Sequence, residues 1–315
     1  MNSETKICQN CQKEFIIEPE DFEFYEKIKV PSPTFCPECR MIRRFIWRDN
    51  CILYKRKSNF SNNEIFTVFE NSSLRKIYER DVWWSDKWNP MDYGRDYNFT
   101  KPFFQQFKEM LLEVPIPAHT VYNMINSDYS AGSNNLKNCY LLFMSTNCED
   151  SVYGFELNRT KDSFDVIRIN FSEFCYESFG LTKCYKTFFS ANCDSCMGIW
   201  FSKNLVGCND CFGCINLRNK QYYIFNQPFL KKEYHKQLAK LSLGSYEKIK
   251  NLKQESKNVF LKNIEKFYQG RHNINVLGEY INHSKNIFNG YYLNEVEDSK
   301  YVQMFLHLRL VIVID

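Results

Sequence analysis

The stretch that decides the fold runs from Asn138 to Asn226, because one short pattern recurs throughout it. Its copies are Asn138-Cys139-Tyr140, Asn147-Cys148-Glu149-Asp150-Ser151, Lys161-Asp162-Ser163-Phe164, Phe174-Cys175-Tyr176-Glu177-Ser178, Lys183-Cys184-Tyr185, Asn192-Cys193-Asp194-Ser195-Cys196 and Gly207-Cys208-Asn209-Asp210-Cys211. Copies that start at 139, 162, 184 and 208 lie 23, 22 and 24 residues apart, with a further copy inside most intervals. Such a period with short β-type segments is typical of a solenoid, in which each coil buries the face of its neighbour. Residues 133–228 are therefore predicted to form a β-solenoid.

Two pairs of cysteines precede this stretch, Cys8 with Cys11 and Cys36 with Cys39. CxxC spacing places two sulfurs on one tight turn, and two such pairs complete a tetrahedral four-thiolate site. A module of this size buries little apolar surface, so a bound metal would supply most of its folding free energy. We predict one structural Zn²⁺ in residues 1–45, held by these four cysteines.

The residues around these pairs carry a resemblance to a known family. Cys11-Gln-Lys-Glu14-Phe15, Phe22-Glu-Phe24-Tyr25-Glu-Lys27, Pro31 and Cys36-Pro37-Glu38-Cys39-Arg40 resemble the zinc-ribbon (treble-clef-like) domain of bacterial proteins. The resemblance covers residues 1–45 and implies that Phe15, Phe24 and Tyr25 form a small core. The whole chain resembles uncharacterised cysteine-rich bacterial proteins that join this module to repeats, some of which are labelled CoA-transferases of the CaiB/BaiF family. The sequence contains no dinucleotide or acyl-CoA signature that would support that activity.

A basic segment follows the second cysteine pair. Its candidate nucleic-acid-binding residues are Arg40, Arg43, Arg44, Trp47, Arg48, Lys55, Arg56 and Lys57. Basic residues interleaved with aromatics can follow a phosphate backbone and stack on bases. A solvated basic face whose aromatics point inward is the plainer alternative. We therefore expect an unknown macromolecular partner, with weak, sequence-independent nucleic-acid binding as a hypothesis.

The cysteines of the repeats allow two interpretations. Cys193, Cys196, Cys208, Cys211 and Cys214 have ligand-like spacing, and they could form a second zinc site or part of an iron–sulfur motif. Alternatively, one small apolar residue in each coil stacks on the next as an internal ladder. Residues 285–301 match residues 137–153 at a constant offset of 148, yet Ile287 and Val296 replace two cysteines. This replacement favours the ladder.

Acidic residues of the repeats raise the question of catalysis. Glu149, Asp150, Glu156, Asp162, Asp165, Glu173 and Glu177 could supply the carboxylate pair that carbohydrate cleavage requires. Solvated turn residues are the favoured interpretation. The sequence contains no nucleophile elbow, P-loop, HExxH or GxGxxG motif. We therefore predict a non-enzymatic zinc-binding scaffold, with a carbohydrate-acting enzyme as the alternative.

The remaining segments connect or interrupt these modules. Residues 46–132 are predicted to be an aromatic-rich connector with one helix and a buried thiol at Cys51. Residues 229–271 carry helical periodicity and eleven Lys or Arg, which predicts a basic helical hairpin. Residues 272–315 are predicted to resume the repeats. Their apolar end, Leu308–Asp315, is either a closing strand or a truncation, and the similar chains favour truncation because their repeats continue further.

Composition sets the class of protein. The chain has 315 residues, 44% of them hydrophobic and 25% charged, with a net charge of only +4. These values are typical of a soluble globular protein. The polar N-terminus and the lack of a long apolar run argue against secretion and membrane insertion, so the 14 cysteines are expected to be reduced in the cytoplasm. The predicted fold is mainly β with helical insertions, a zinc ribbon or treble clef followed by a β-solenoid that a helical hairpin interrupts.

Overall fold

The computed structural model describes residues 2–45, 51–241 and 243–309, apart from the side chains of Ile28, Phe45 and residues 305–309. The chain divides into two compact units. One comprises Met1–Asp49 and Glu265–Asp315, and the other comprises Asn50–Ile264. The C-terminal segment thus belongs to the same unit as the N-terminal cysteine pairs. Residues 310–315, which include most of the predicted closing strand, lie outside the described residues.

The first unit begins with a small α/β module. Its elements are β1 (Glu4–Ile7), β2 (Glu14–Ile17), α1 (Pro19–Ile28) and α2 (Pro37–Phe45). Strands β1 and β2 form an antiparallel hairpin. Helix α1 starts at a proline, which is tolerated where no intrahelical N–H bond is needed, and it ends at Lys29 in the left-handed conformation. Tyr25 of α1 is buried, and Phe15 packs beside the cysteines.

The second unit opens with short elements. They are β3 (Tyr54–Lys57), β4 (Glu64–Thr67), β5 (Ile77–Tyr78), α3 (Arg80–Trp83), a 3-10 helix (Pro90–Tyr93), α4 (Phe103–Glu113) and β6 (Ile116–Pro117). Helix α4 is the one expected from the sequence, although none of its residues is fully buried. The expectation of a buried thiol at Cys51 is wrong, because this residue is exposed.

A 12-stranded sheet dominates the second unit. Its strands are β7 (Val121–Ile125), β8 (Ser133–Lys137), β9 (Tyr140–Phe143), β10 (Thr146–Glu149), β11 (Val152–Asn158), β12 (Phe164–Asn170), β13 (Glu173–Thr182), β14 (Tyr185–Phe188), β15 (Met197–Trp200), β16 (Asn209–Phe212), β17 (Gln221–Ile224) and β18 (Gln227–Pro228). All pairs are parallel except β17 with β18, so the sheet is mixed. The prediction of a mainly β chain with helical insertions is confirmed.

The register of the parallel pairs is constant. Residue 152 lies beside 164, 164 beside 176 and 176 beside 188. Residues that lie side by side are thus twelve positions apart, and we call each stretch of twelve residues a row. The hydrogen-bonded side chains of Asn138 and Asp150 are separated by the same twelve positions. The interval between successive cysteine motifs is about twice this separation. Each interval therefore covers two rows. Side chains form columns that have one member in each row.

Burial follows a shorter period. Every third residue from Ser127 to Cys214 is buried. From Gly132 to Gly213, the residue before each buried position has a positive φ angle. Asn and Asp tolerate this left-handed conformation better than most residues, which explains why Asn or Asp so often precedes an inward Cys or Ser. Neighbouring rows add amide ladders, as when Asn138 donates to Asp150 over 3.0 Å.

Inward serines and cysteines have the same hydrogen-bonding role. The Ser163 hydroxyl donates to the Lys161 carbonyl (2.9 Å) and accepts the backbone N–H of Cys175, one row later (3.1 Å). The Cys196 thiol donates to the Asp194 carbonyl (3.2 Å) and accepts the N–H of Cys208 (3.4 Å). Buried backbone groups need such partners, so a small side chain that both donates and accepts is favoured inside.

Two helices, α5 (Lys231–Ala239) and α6 (Tyr246–Leu261), follow the sheet and correspond to the predicted hairpin. Tyr234 of α5 and Leu252 of α6 pack with Phe201 and Phe212 in a hydrophobic cluster. The helices therefore cover aromatic side chains from the last rows of the sheet. No helix in the described residues is long and apolar enough to span a membrane.

The C-terminal segment adds a four-stranded parallel sheet to the first unit. Its strands are β19 (Gly270–Arg271), β20 (Ile274–Asn282), β21 (Lys285–Lys300) and β22 (Gln303–Arg309). Ile287 and Val296 are buried, as are Cys139 and Cys148 at the corresponding positions of the larger sheet. Lys300 binds the Asp21 carboxylate of α1 over 2.7 Å, which ties this sheet to the N-terminal module.

The hydroxyl of Ser163 offers a direct test of the inward hydrogen bonds. Ser163→Ala leaves a buried N–H and a buried carbonyl without their side-chain partner, and we expect the free energy of unfolding to fall by about 2 kcal/mol. Ser163→Cys keeps a donor and an acceptor, so its loss should be much smaller. Urea-induced unfolding followed by circular dichroism measures both, with Ser72→Ala on an exposed turn as the control. Equal losses for the two Ser163 variants would contradict this role.

Candidate metal centre

The first cysteine pair lies in the turn of the β1–β2 hairpin. Cys8 follows β1, its N–H donates to the Lys13 carbonyl (2.9 Å), and its own carbonyl accepts the Gln12 N–H (3.0 Å). Gln12 closes the turn with a φ angle of 59°. This tight turn brings the side chains of Cys8 and Cys11 to the same side of the hairpin.

The second pair lies at the start of α2. Cys36 directly precedes the helix, and Cys39 belongs to its first turn, where the Arg40 N–H closes on the Cys36 carbonyl (3.0 Å). A further hydrogen bond, from the Gln9 N–H to the Thr34 carbonyl (2.9 Å), joins the hairpin turn to the segment before the helix. A backbone hydrogen bond therefore joins the segments that carry the two pairs.

The four sulfur atoms form one compact group. They lie within 4.8 Å of one another, and the sulfurs of Cys11 and Cys36 are 3.8 Å apart. Four thiolates at about 2.3 Å from a tetrahedral zinc ion would be about 3.8 Å apart. Cys8, Cys36 and Cys39 are buried, and Cys11 is partly buried. The four cysteines are thus positioned to bind one metal ion, and the site is compatible with zinc.

Hydrogen bonds to these sulfurs stabilise the thiolate form, which is the form that binds a cation. The Cys36 N–H donates to the Cys8 sulfur (3.2 Å), and the Asn10 side-chain amide donates to the Cys39 sulfur (3.3 Å). Burial raises the pKa of Cys8, but backbone donors at Cys11, Cys36 and Asn10 outweigh burial and lower it to about 6. Burial and the neighbouring sulfurs raise the pKa of Cys36 to about 12. Four thiolates this close need a bound cation to neutralise their mutual repulsion.

The donor set indicates a structural role for the metal. Four protein sulfurs fill a tetrahedral coordination shell, which leaves no position for water or substrate. When bound, the metal would cross-link the β1–β2 turn to the start of α2. The residues present thus fit a metal that stabilises the fold of this module.

The five cysteines of the candidate second site occupy buried positions in the segment that forms the 12-stranded sheet. Cys193, Cys196, Cys208, Cys211 and Cys214 are all buried. Each donates to the carbonyl two residues before it, as Cys211 does to Asn209 over 3.4 Å. Among the described residues, the N-terminal four are the one group of three or more ligand side chains that are close enough to share a metal ion. A second metal at these five cysteines stays a prediction.

The pKa values of the interior thiols mostly favour the neutral form. Burial raises the pKa of Cys148 to about 11 and that of Cys175 to about 12, and it also raises the pKa of Cys193. Cys184, Cys208 and Cys214 differ, because hydrogen bonds with neighbouring cysteine side chains lower their pKa values against the opposing effect of burial. Cys36 of the N-terminal site also has a raised pKa, so what distinguishes these interior cysteines is that, among the described residues, they form no compact ligand group.

The basic residues of the proposed nucleic-acid site fall in different environments. Arg40 is buried, donates to the Tyr25 hydroxyl (3.3 Å) and lies over the Tyr301 ring, so it has a structural role. Arg43 is exposed with its guanidinium over Phe35, and Arg44 is partly buried. Trp47 and Arg48 lie outside the described residues. These positions give no evidence of a nucleic-acid-binding surface.

The remaining basic residues, Lys55, Arg56 and Lys57, share strand β3. Lys55 forms an ion pair with Glu64 on the neighbouring strand (2.9 Å), and Arg56 donates to the Glu70 carbonyl. Lys57 is exposed. Two of the three cations thus already have partners within the hairpin or the segment that follows it.

Several acidic residues are engaged in pairs along the columns. Glu149 binds Lys137 (2.6 Å) and lies 3.8 Å from Lys161, and Glu156 pairs with Arg168 (3.0 Å). These pairs match the interpretation of solvated, mutually neutralised charges. Asp165 and Glu177 occupy adjacent rows of another column and line a groove of about 400 Å³ with Ile167, Phe179 and Phe189. Lys253 of α6 forms an ion pair with Glu177 at this groove.

Sequence reasoning missed this groove because it had not placed residues of adjacent rows in one column. The signal was available in the spacing of the aromatic residues at 140, 164, 176, 188, 200 and 212.

A comparison of the chain with protein-family models finds no match, and a comparison with curated proteins finds none either.

The metal site makes a quantitative prediction. The purified protein should carry one zinc ion per chain by inductively coupled plasma mass spectrometry. Cys36→Ser should abolish stoichiometric binding, because three sulfurs bind zinc far less tightly than four, and the amide signals of residues 2–45 should lose dispersion. Cys175→Ser, an interior control, should retain one metal. Full zinc content in Cys36→Ser would contradict this site.

The same measurement tests the second group of cysteines. If these residues are packing groups only, Cys208→Ser should leave the metal content at one per chain. Two metal ions in the unaltered protein, falling to one in Cys208→Ser, would establish a second centre.

Proposed function

We propose that this protein is a non-enzymatic, zinc-stabilised scaffold whose repeat region binds a partner protein. Zinc is the proposed metal because the site offers four sulfurs at tetrahedral spacing, and the hairpin-and-helix arrangement matches a treble-clef-like module. The metal fixes the fold of the N-terminal module and takes no part in a reaction. The partner-binding role rests on one aromatic face of the repeat region.

Residues 133–228 are proposed to wind as a β-solenoid in which each coil supplies one residue to every column. The support is the constant register of the parallel pairs together with the burial of every third residue. With these two periods, each coil would have four short sides and four inward side chains. Inward positions would then form four internal columns, and one of them contains Cys184, Cys196 and Cys208.

The outer columns of this region differ in chemistry. One begins with the charged residues Lys137, Glu149, Lys161 and Glu173 and continues with Tyr185, Met197 and Asn209; it is called the charged column. Another consists of Tyr140, Val152, Phe164, Tyr176, Phe188, Trp200, Phe212 and Ile224 and is almost wholly apolar. A continuous apolar column along one side of a sheet indicates an interface.

Helices α5 and α6 already cover the last rows of that apolar column. Phe212 is fully buried beneath them, whereas Phe164 remains 45% exposed. Tyr140 and Tyr176, in the same column as Phe164, are 42% and 36% exposed. The uncovered rows continue an interface that the chain itself uses, which is the observation that carries this proposal.

The way in which α6 binds indicates the chemistry of the partner. Lys253 pairs with Glu177, and its ammonium lies 4.6 Å from the centre of the Phe189 ring. One row earlier, Asp165 offers a second carboxylate beside exposed aromatic rings. An amphipathic helix from a partner, with apolar residues on one side and a lysine near Asp165, would extend this packing.

Site-specific photo-crosslinking tests this docking surface. With benzoylphenylalanine at Phe164, we expect a crosslinked protein adduct in cells, because this position lies in the uncovered apolar column. The same probe at Tyr185, an exposed aromatic residue in the charged column, should give none. Asp165→Lys should lower the yield at position 164 roughly tenfold, since it places a like charge opposite the partner's lysine.

Other outcomes would overturn the proposal. Equal adducts at 164 and 185, a dimer of this chain, or an adduct that nuclease removes would each assign the face to another use.

The basic segment supports the alternative partner, a nucleic acid. Arg43 and Lys57 are exposed. A fluorescence-polarisation titration with single-stranded RNA decides the matter, because phosphate contacts weaken steeply as salt rises. Salt-sensitive binding that Arg43→Ala and Lys57→Ala remove would support this alternative, and no binding in low salt would exclude it.

Catalysis by Asp165 and Glu177 is the second alternative. Their positions in adjacent rows put two carboxylates near the separation that glycosidases use. The ion pair between Glu177 and Lys253 argues against it, because it occupies the carboxylate that would act as acid or base. Hydrolysis of a polysaccharide panel that Asp165→Asn and Glu177→Gln abolish would favour the enzyme.

A further inference from the structure

The β3–β4 hairpin repeats the backbone of the metal-binding hairpin residue for residue. In the first hairpin, Glu4 lies beside Ile17 and Ile7 beside Glu14, and in the second, Tyr54 lies beside Thr67 and Lys57 beside Glu64. Both turns are closed in the same way. The Ser58 N–H donates to the Asn63 carbonyl (2.9 Å) and the Asn62 N–H to the Ser58 carbonyl (3.2 Å), as at Cys8. Asn62, like Gln12, has a positive φ angle, here 64°.

The correspondence continues into the element that supplies the second pair of ligands. The Asn59 N–H donates to the Ile77 carbonyl over 2.8 Å, as the Gln9 N–H does to Thr34. Two residues after that carbonyl, Glu79 directly precedes helix α3, as Cys36 precedes α2. The Trp83 N–H then closes the first helical turn on the Glu79 carbonyl (2.8 Å).

These matches align four residues with the four cysteines. Ser58 and Ser61 take the places of Cys8 and Cys11, and Glu79 and Val82 take those of Cys36 and Cys39. The side chains meet as the sulfurs do, because both serine hydroxyls donate to the Glu79 carboxylate. The Ser58 oxygen also accepts the Phe60 N–H (3.0 Å), and the Ser61 oxygen accepts the Asn63 N–H (3.1 Å).

We propose that residues 54–83 are a second copy of the metal-binding module, in which hydrogen bonds from Ser58 and Ser61 to Glu79 replace the metal ion. In the first copy, a divalent cation would neutralise four sulfurs. In the second, one carboxylate receives two hydroxyl donors, so no cation is needed. The apolar Val82 completes the set without contributing a ligand atom.

The electrostatics of Glu79 support this arrangement. Partial burial raises the pKa of its carboxyl, and the hydrogen bonds from Ser58 and Ser61 outweigh burial, so the pKa is lowered overall. The ionised form is therefore the one that the turn stabilises. This inference is independent of the partner-binding role proposed above. It concerns only what joins the hairpin turn to the helix within each module.

Restoring the cysteines tests the correspondence. Ser58→Cys, Ser61→Cys, Glu79→Cys and Val82→Cys combined should raise the zinc content from one to two ions per chain. Cobalt substitution should double the intensity of the thiolate charge-transfer band, since both sites would be tetrahedral. Adding Cys8→Ser should remove one ion and leave the new one. A folded quadruple variant with one ion per chain would overturn the proposal.

A second measurement uses the cluster as it stands and does not depend on the fold of the quadruple variant. Glu79→Ala removes the shared acceptor, so amide hydrogen exchange at residues 58–63 should become roughly tenfold faster, with the zinc content unchanged at one. Glu79→Gln retains one acceptor oxygen and should show a smaller effect. Unchanged exchange in Glu79→Ala, or loss of zinc from it, would contradict the proposal.

Discussion

A buried backbone amide that points along the stack of rows needs an acceptor, and at many inward turns a Ser or Cys side chain of the row before supplies it. Ser127 accepts the N–H of Cys139 (3.0 Å), and Ser172 accepts that of Cys184 (2.9 Å). A hydroxyl or thiol can do this while donating to a carbonyl of its own row. Alanine would fit the space but leave the buried N–H unpaired, which costs about 1–3 kcal/mol. The carbonyl would keep a backbone partner, as the Ile125 carbonyl does in the Asn138 N–H. The abundance of Ser and Cys inside the sheet follows from this requirement.

Much of the metal site was predictable from sequence. Two CxxC pairs specify a four-sulfur site almost regardless of context, because few other arrangements bring four cysteines together at that spacing. The interior position of the repeat cysteines was also predictable, since Ile287 and Val296 occupy matching positions where no ligand is possible. The mainly β character followed from short apolar segments of regular spacing.

The finer geometry was not predictable for physical reasons. Positive φ angles occur at Leu141, Met144 and Phe171, residues that rarely adopt them, so their period of three was hidden. The stacking of rows imposes that conformation on side chains that would avoid it locally. Arg40 could not be separated from its basic neighbours, because only its contacts with Tyr25 and Tyr301 identify it as structural. The second copy of the metal-binding module has no cysteine, so a search for ligands passes over it.

The constant register restricts how this chain can change in length. Deleting residues 164–175 from the middle of the sheet would remove one whole row and leave every column on both sides continuous. Deleting one residue moves each later side chain off its column, so that an inward Cys or Ser is replaced by the residue beside it. Insertions and deletions in residues 133–224 should therefore be tolerated only as whole rows. The number of rows, and with it the length of the apolar column, can then vary without any redesign of the remaining rows.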